Sequence, residues 1–491
     1  GPRSLVSFCS RLGVDWVTSK VNSTEYRSVA SRLVADVARM LKLSGPLATT
    51  RAPEPSPEVA WQYTKAYFGA SPDETTGIVE RPWFESRLRA HFNGTMPDDM
   101  AYYALRNVIW AYGCRIVLSK TAGFRQVSQV SWPFFENALS IYSEILFVRA
   151  SMVAVQALIL MAYYSEGLGK ISLQYMLCSN AMRLACSKGL HRQPARSWNL
   201  SPREVEHRNR MFWSICCLEK QICSRSGRPS AMDDDEISCQ VPQRALNGRP
   251  DVASYCHILI ELTRLSSAAK KRLSSAHALR QAPGQLIETV RALNKELHDL
   301  KFSMQDEFCL DAPLEVSELP KDITMRQAQS LQYHYFCLIM DINTPLAYPW
   351  SSICTYAKRD MAASAQIDAS WNAVAQASRS AILATRHIRV DATCSAMIAL
   401  YTPTYSFINL FIHILRDSSR SMTTIQSDLA ILDIAVGYFS SVEFATEFEL
   451  KLSFARELCH YAHLAVDQKK KSQPAWDRRN ERRNSRPDCT T

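Results

Sequence analysis

A chain of 491 residues that is 47% hydrophobic, with a mean hydropathy of −0.17, can bury a large core, and its size allows two or three domains. Only 15 glycines, together with long 3.6-residue periodicities and few alternating runs, exclude a sandwich or barrel and point to an all-α fold, a large irregular helical domain. The 15 cysteines are odd in number and irregularly spaced, which excludes a disulfide framework and implies a reducing compartment; the formal charge of +10 sits mostly at one end.

The chain opens on Gly1 rather than methionine and passes at once into Leu5-Val6-Ser7-Phe8 and Gly13-Val14-Asp15-Trp16, as a fragment or trimmed chain would. It has no charged-then-apolar leader with a small-residue cleavage site, so secretion is not expected. Asn22-Ser23-Thr24 starts an amphipathic helix carrying Tyr26, Val29, Leu33, Val37 and Leu41, closed by Gly45-Pro46. Pro53, Pro55 and Pro57 then forbid regular helix and extend the chain. The sequence therefore divides into an N-terminal helical segment at 1–48, a proline-rich linker at 49–58, an all-helical body at 59–466 and a basic tail at 467–491.

Helices are expected at 59–68, 99–119, 133–148 and 152–164. The last reads as the most apolar run, but it is about thirteen residues long and contains Gln156, short of the roughly twenty that a bilayer span needs. It is expected to be a buried core helix, and no membrane partner is implied.

Periodicity, capping signals and unusual residues all coincide between 171 and 242. Leu173, Leu177, Ala181 and Leu184 follow helical spacing, and Met176 and Ala185 widen the stripe. Gly189 should end this helix in the left-handed conformation, with Leu190 closing the end by an apolar contact. Ser201 as N-cap, Pro202 at the first helical position and Glu204 completing a capping box start the next helix. Val205, Phe212, Ile215 and Ile222 share one face of it, Arg203, Arg208 and Arg210 begin the other, and it runs to Gly227. There follow Gly227-Arg228-Pro229, the acidic run Asp233-Asp234-Asp235-Glu236, Ile237-Ser238 and a closing Val241-Pro242.

At these residues the chain resembles the middle regulatory domain of fungal zinc-cluster transcription factors, the domain shared with xylanolytic activators. The family's ordered marks read here as Gly189-Leu190-His191-Arg192, an acidic and basic stretch at 204–210 leading into Phe212-Trp213, Gly227-Arg228-Pro229, and Asp235-Glu236-Ile237-Ser238 with Pro242. Two positions depart from it: the usual Asp-Arg pair is Glu219-Lys220, and the leucine before Phe-Trp is Met211. Tyr67-Phe68 and Trp83-Phe84 stand where the family places a Tyr-Phe and a segment leading to phenylalanine, without its His-Pro. The resemblance covers most of the chain and is sharp only over 171–242. It implies a nuclear regulator of RNA polymerase II transcription, with secondary-metabolite or toxin gene clusters a common setting. It also implies partners among the transcription machinery or co-regulator proteins, a small-molecule effector and a second copy of the chain.

DNA would be reached through a binuclear zinc cluster, which needs two Cys-x-x-Cys pairs within roughly thirty residues. No such pair occurs, so the zinc ligands are not in these residues, and whether they precede Gly1 is a matter for upstream sequence. No cofactor is expected in the chain itself. Cys216, Cys217 and Cys223 lie close together, but adjacent helical positions diverge, and they read as small core residues.

Beyond Pro242, helices are expected at 251–273, 286–302, 324–340 and 370–388, with further apolar helices to Val466 and no repeat. Residues 331–346 resemble a later family segment in which a long helix ends at an Asn-x-Pro-Leu-like turn, here Asn343-Thr344-Pro345-Leu346. The tail then carries Lys469, Lys470, Lys471, Arg478, Arg479, Arg482, Arg483 and Arg486 against Asp477 and Glu481. It reads equally as a nuclear-import or loose nucleic-acid element and as a solvated disordered end.

Catalytic patterns are missing: no phosphate loop, no His-Glu-x-x-His and no Gly-x-Ser-x-Gly. The acidic run departs from the spacing of diphosphate-binding synthases, since Ile237 and Pro242 stand where acids are needed, and reads as a cap or solvated turn that pairs Arg228. Arg228 is expected to bridge the end of the Ser201 helix to that run or to Glu219. His191 and His207 read as surface residues. Phe212 and Trp213 read as packing, with a ligand pocket as the alternative. The chain is thus expected to be a non-enzymatic regulatory domain, the rival reading being a stand-alone helical interaction protein that has lost DNA binding.

Overall fold

A computed structural model of the chain describes residues 5–40, 45–70, 76–97, 99–148, 150–167, 169–243, 250–351, 353–357, 360–416 and 421–472. Among them the regular structure is helical throughout, without a strand. A short turn at Leu5–Cys9 precedes α1 (Arg11–Val21), α2 (Tyr26–Met40), α3 (Pro57–Ala70), α4 (Arg81–Phe92), α5 (Met100–Leu118) and α6 (Phe124–Ser140). Then come α7 (Tyr142–Phe147), α8 (Met152–Gly167), α9 (Ile171–Ser187), α10 (Pro202–Ser226), α11 (Pro250–Ser274) and α12 (Pro283–Ser303). The last six are α13 (Met325–Ala347), α14 (Ile353–Ala357), α15 (Met361–Leu383), α16 (Thr402–Arg416), α17 (Met422–Ala445) and α18 (Phe454–Ser472).

The apolar stripes close around two cores. The first, built by α3 to α10, holds Tyr67, Phe84, Trp110, Leu158 and Phe212. The second, built by α1, α2 and α11 to α18, holds Val17, Tyr26, Tyr333, Trp371 and Phe407. Helix α11 is the wall between them, giving Ile260 to the first core and Ile258 and Leu262 to the second. The segment at 1–48 is therefore no outlying element within the described residues, because Phe8, Val14, Val21 and Leu33 lie in the same core as α16 and α18.

Helix α5 is the axis of the first core and is buried at every position from Ala101 to Ala111. Buried Arg106 would be costly there without a counter-charge. Glu54 supplies it: Arg106 Nε donates to its carboxylate at 2.9 Å, and the guanidinium lies 4.8 Å from the Tyr103 ring. The proline-rich stretch read as a linker has no regular structure over 51–56 and is strapped onto this core, but Pro57 does not forbid helix, because it stands at the start of α3, where its missing N–H is not needed. Asn137 exchanges two hydrogen bonds with the backbone of Ala52, at 2.9 and 3.0 Å, and His91 Nε2 lies 2.9 Å from Glu54.

Three readings need correction. Pro133 does not start a helix but lies inside α6. Helices α1 and α4 are not expected from the sequence, although α1 buries Val14, Val17 and Val21; on α4 Phe84 and Leu88 alone are buried. Finally, although residues 152–164 are too short as expected, one helix does reach the length of a bilayer span: Met397–Arg416 is 20 residues long with a mean hydropathy of 1.3, long and apolar enough to cross a bilayer. It is 83% buried, and Phe407, Leu410, Phe411 and Ile414 sit in the second core, so its apolarity is that of a core helix.

Candidate functional site

The 171–242 stretch forms an antiparallel helix pair clipped at both ends. Gly189 has φ +68°, its amide donates to the Cys186 carbonyl at 2.9 Å, and the Leu190 amide donates to Ala185 at 3.0 Å. These are the two bonds of a Schellman end, and Leu190 is buried as expected. Arg208 of α10 donates to the Lys188 carbonyl at 2.9 Å, so a cation from one helix satisfies the C-terminus of the other. At the same end Ser201 and Glu204 make the expected capping box, and at the opposite end Gly227 closes α10 with φ +66°.

Glu219 and Lys220, the pair that departs from the family pattern, hold the turn that follows. Glu219 is almost wholly buried and accepts from the Ser230 hydroxyl at 2.8 Å and the Ala231 amide at 2.7 Å. Lys220 donates to the Met232 carbonyl at 2.8 Å and pairs with Asp234 at 2.7 Å. Arg228 consequently does not take the acidic partner expected of it. Its Nη2 donates to the Ser172 hydroxyl at 3.0 Å, its guanidinium lies 4.7 Å from the Tyr175 ring, and Tyr175 Oη donates to the Pro229 carbonyl at 3.1 Å. The acidic run is the expected capped turn with other partners: Asp233 accepts from the Asp235 amide, Lys271 reaches Asp233 and Asp235, and Arg192 pairs with Glu236.

Phe212 is fully buried, and Trp213 donates through Nε1 to the Gln240 carbonyl at 2.9 Å while Arg264 covers its ring. Cys216, Cys217 and Cys223 are buried, and desolvation raises all three thiols, which leaves them protonated and inert. His207 is half-buried rather than at the surface, with Nε2 2.9 Å from the Ile78 carbonyl. The His191 carbonyl accepts from the amides of Ser238 and Cys239, tying the exit segment that leads to Pro242 back to the end of α9. Half-buried itself, the His191 imidazole is held below the usual histidine range by desolvation and by Arg192.

Where α5, α8 and α10 face α11, α13 and the 391–398 segment, the two cores leave a cavity of about 590 Å³. Tyr112, Tyr163, Trp213, Tyr255, Leu259 and Ile398 supply its apolar wall. Five cations line it, Arg115, Lys120, Arg210, Arg326 and Arg389, against the carboxylates of Glu166 and Asp391. Sequence reading finds none of this, because the lining comes from eight separated stretches; of the residues singled out from the sequence as site candidates, only Trp213 and Pro242 are among them. A narrower cleft beside it contains Asp341, whose carboxyl burial pushes up to about 6 despite hydrogen bonds from Ser224 and Tyr405.

Among the described residues no catalytic constellation stands out. Asp433, Cys459 and His463 offer three ligand atoms within 4.8 Å of one another. Those atoms already satisfy each other: Cys459 Sγ donates to Asp433 at 3.2 Å, and His463 Nε2 lies 3.1 Å from the same oxygen. Of the basic tail, Lys469, Lys470 and Lys471 end α18, whereas Arg478, Arg479, Arg482, Arg483 and Arg486 lie outside the described residues.

Residues 61–306 match the fungal specific transcription factor domain. An ABC-transporter-regulating transcription factor of Aspergillus oryzae is 23% identical over 99% of this chain and 57% of that protein. One of the same name from Aspergillus fumigatus is 24% identical over 90% and 51%. The fusaridione A cluster transcription factor fsdR of Fusarium heterosporum is 26% identical over 38% and 36%. The chain thus spans about half the length of the first two relatives. No solved structure matches it. The domain match takes in half of the chain and includes the whole clipped helix pair, and on that ground the chain belongs to the fungal specific transcription factor domain family.

Proposed function

We propose that the chain is the regulatory body of a nuclear transcription factor that acts on RNA polymerase II transcription without catalysing a reaction. The observation that carries this is the family match centred on a helix pair whose buried polar groups are spent on holding its own turns. Its contact with base sequence is made by a zinc-cluster module supplied outside these residues, since specific readout needs side chains delivered to a groove and no Cys-x-x-Cys pair is present. The names of the two relatives aligned over 99% and 90% of the chain favour transporter genes as targets; fsdR, over 38%, favours a metabolite cluster less strongly. Co-regulator proteins, a small-molecule effector and a second copy of the chain are the partners such a body needs, and it requires neither membrane nor metal.

The test is a fusion of the whole chain to an unrelated DNA-binding domain, expressed in a yeast reporter strain. A severalfold change in reporter output, in either direction and only at promoters bearing the matching operator, supports the proposal. Output identical to the DNA-binding domain alone favours a stand-alone interaction protein instead. Dialysed protein should retain no stoichiometric zinc by elemental analysis, and one zinc per chain lost on Cys459→Ser would contradict the metal-free reading.

A further inference from the structure

We propose that the cavity between the two cores binds a small amphipathic organic anion, its apolar body among Tyr112, Tyr163, Trp213 and Tyr255 and its charged group on Arg115 with Lys120 and Arg389. This deepens the regulatory reading by giving the effector a place and a chemistry. A cavity of about 590 Å³ lies within the range that encloses drug-sized ligands, and a mostly aromatic wall with a few placed polar groups is the usual form of such sites.

Charge selects the ligand class. Both carboxylates of the lining are engaged, Glu166 by Arg225 at 3.3 Å and the Ser395 hydroxyl at 2.9 Å, and Asp391 by Thr393 and Arg326. Arg210 is paired with Glu206. Among the described residues no carboxylate pairs with Arg115, Lys120 or Arg389. Lys120 and Arg389 are exposed at the rim. Arg115 is only 3% exposed; its Nη1 donates to the Tyr164 carbonyl at 3.2 Å, its guanidinium lies 3.5 Å from the Tyr164 ring, and its Nε has no partner. A guanidinium buried without a counter-charge bears a desolvation cost that a bound anion relieves. Gly167 makes room for it: a Cβ there would stand 2.8 Å from Arg115 Nη1.

One neutral group completes the match. His334 lines the cavity, and its Nδ1 lies 2.6 Å from the Ser330 carbonyl, which can only accept, so Nδ1 carries the proton and Nε2 is left as an acceptor without a partner. Burial holds this imidazole uncharged, with its pKa lowered to about 4. A hydroxyl on the ligand would satisfy it. Because the lining joins α5, α8 and α10 to α11 and α13, occupancy couples the two cores and should raise the thermal midpoint of the whole body.

The test titrates the purified full chain with 8-anilinonaphthalene-1-sulfonate, an aromatic anion, and with N-phenyl-1-naphthylamine, the same ring system without the sulfonate. The expected result is saturable binding of one sulfonate per chain, weakened about tenfold by Arg115→Gln and severalfold by Arg389→Glu. The neutral amine should bind Arg389→Glu and the unchanged chain alike. Arg389 is exposed, so that variant remains informative should Arg115→Gln fail to fold, with circular dichroism confirming its helices. Sulfonate binding that is indifferent to Arg389→Glu, or that falls in parallel with amine binding, overturns the anion assignment. Absence of saturable binding overturns the site itself. Since the readout is on purified protein, either failure leaves the reporter test of the regulatory reading untouched.

Discussion

Removing the Glu219 carboxylate strands the Ala231 amide beside the end of α10 and leaves the Ser230 hydroxyl only the Met232 carbonyl, whereas removing the Arg228 guanidinium leaves only the Ser172 hydroxyl and a ring face. Unsatisfied buried partners cost more than lost surface contacts. Glu219→Ala should therefore destabilise by about 2 to 4 kcal/mol and Arg228→Ala by about 1 to 2 kcal/mol, read from urea denaturation. The reverse order would mean that Arg228 has a buried acidic partner after all. Asp341 adds a pH dependence. Its folded pKa of about 6 lies above the value of 3.8 for a free carboxyl, so between those values the folded state binds the extra proton, and this group's contribution falls as pH rises through the window. Asp341→Asn keeps an acceptor oxygen for one of the Ser224 and Tyr405 hydroxyls and sets an NH2 donor against the other, which can turn to accept, as the protonated carboxyl would. It should be more stable than the parent by about 3 kcal/mol at pH 7.5 and about equal to it near pH 3. A difference independent of pH would show that the carboxyl is ionised throughout.

Helix ends were legible in the sequence because capping is local. Ser201, Glu204, Gly189 and Gly227 each do in the fold what their positions announce, since the bonds they make reach no further than a few residues. What was not legible depends on a distant neighbour. Gly113 looks like an ordinary helical glycine, yet a Cβ there would stand 2.0 Å from the Tyr63 carbonyl oxygen, so it is the contact point where α3 crosses α5. The role of Glu54 was hidden among prolines because Arg106, the charge it neutralises, lies 52 residues on. The cavity was hidden for the same reason, with Arg115, His334 and Arg389 brought together by packing alone. The two kinds of glycine should separate in stability measurements. Gly189→Ala has room, its nearest atom being Trp198 Cη2 at 3.8 Å, and should cost only the left-handed backbone, about 1 kcal/mol. Gly113→Ala must push two backbones apart and should cost about 3 kcal/mol or more. Equal midpoints for the two variants would refute the close approach.

At the scale of the whole molecule, the ends of the described chain belong to one core. Phe8, Val14, Val17, Val21, Tyr26, Val29 and Leu33 are buried against α16, α18 and their neighbours, and Tyr26 meets the Tyr461 ring edge-on with centroids 5.9 Å apart. A fully buried side chain of this size contributes about 1.5 to 3 kcal/mol relative to exposure. Seven of them together reach about 10 kcal/mol even after allowance for a compact unfolded state, which is of the order of a domain's whole stability. Cutting at the proline-rich stretch, which a reading of the sequence as segment, linker and body would recommend, should therefore fail. A chain lacking residues 1–44 should lose the cooperative unfolding of the second core, aggregate through the apolar faces of α16 and α18, and keep at most the first core's helices by circular dichroism. A chain lacking residues 473–491 should unfold at the parent midpoint, because that stretch has too few apolar residues to belong to a core. It should differ instead in losing the weak, salt-sensitive and sequence-blind attraction to duplex DNA that the arginines beyond Ala475 supply. If the 1–44 deletion is soluble and unfolds with the parent's midpoint and slope, the N-terminal helices are an accessory layer, and the second core is complete without them.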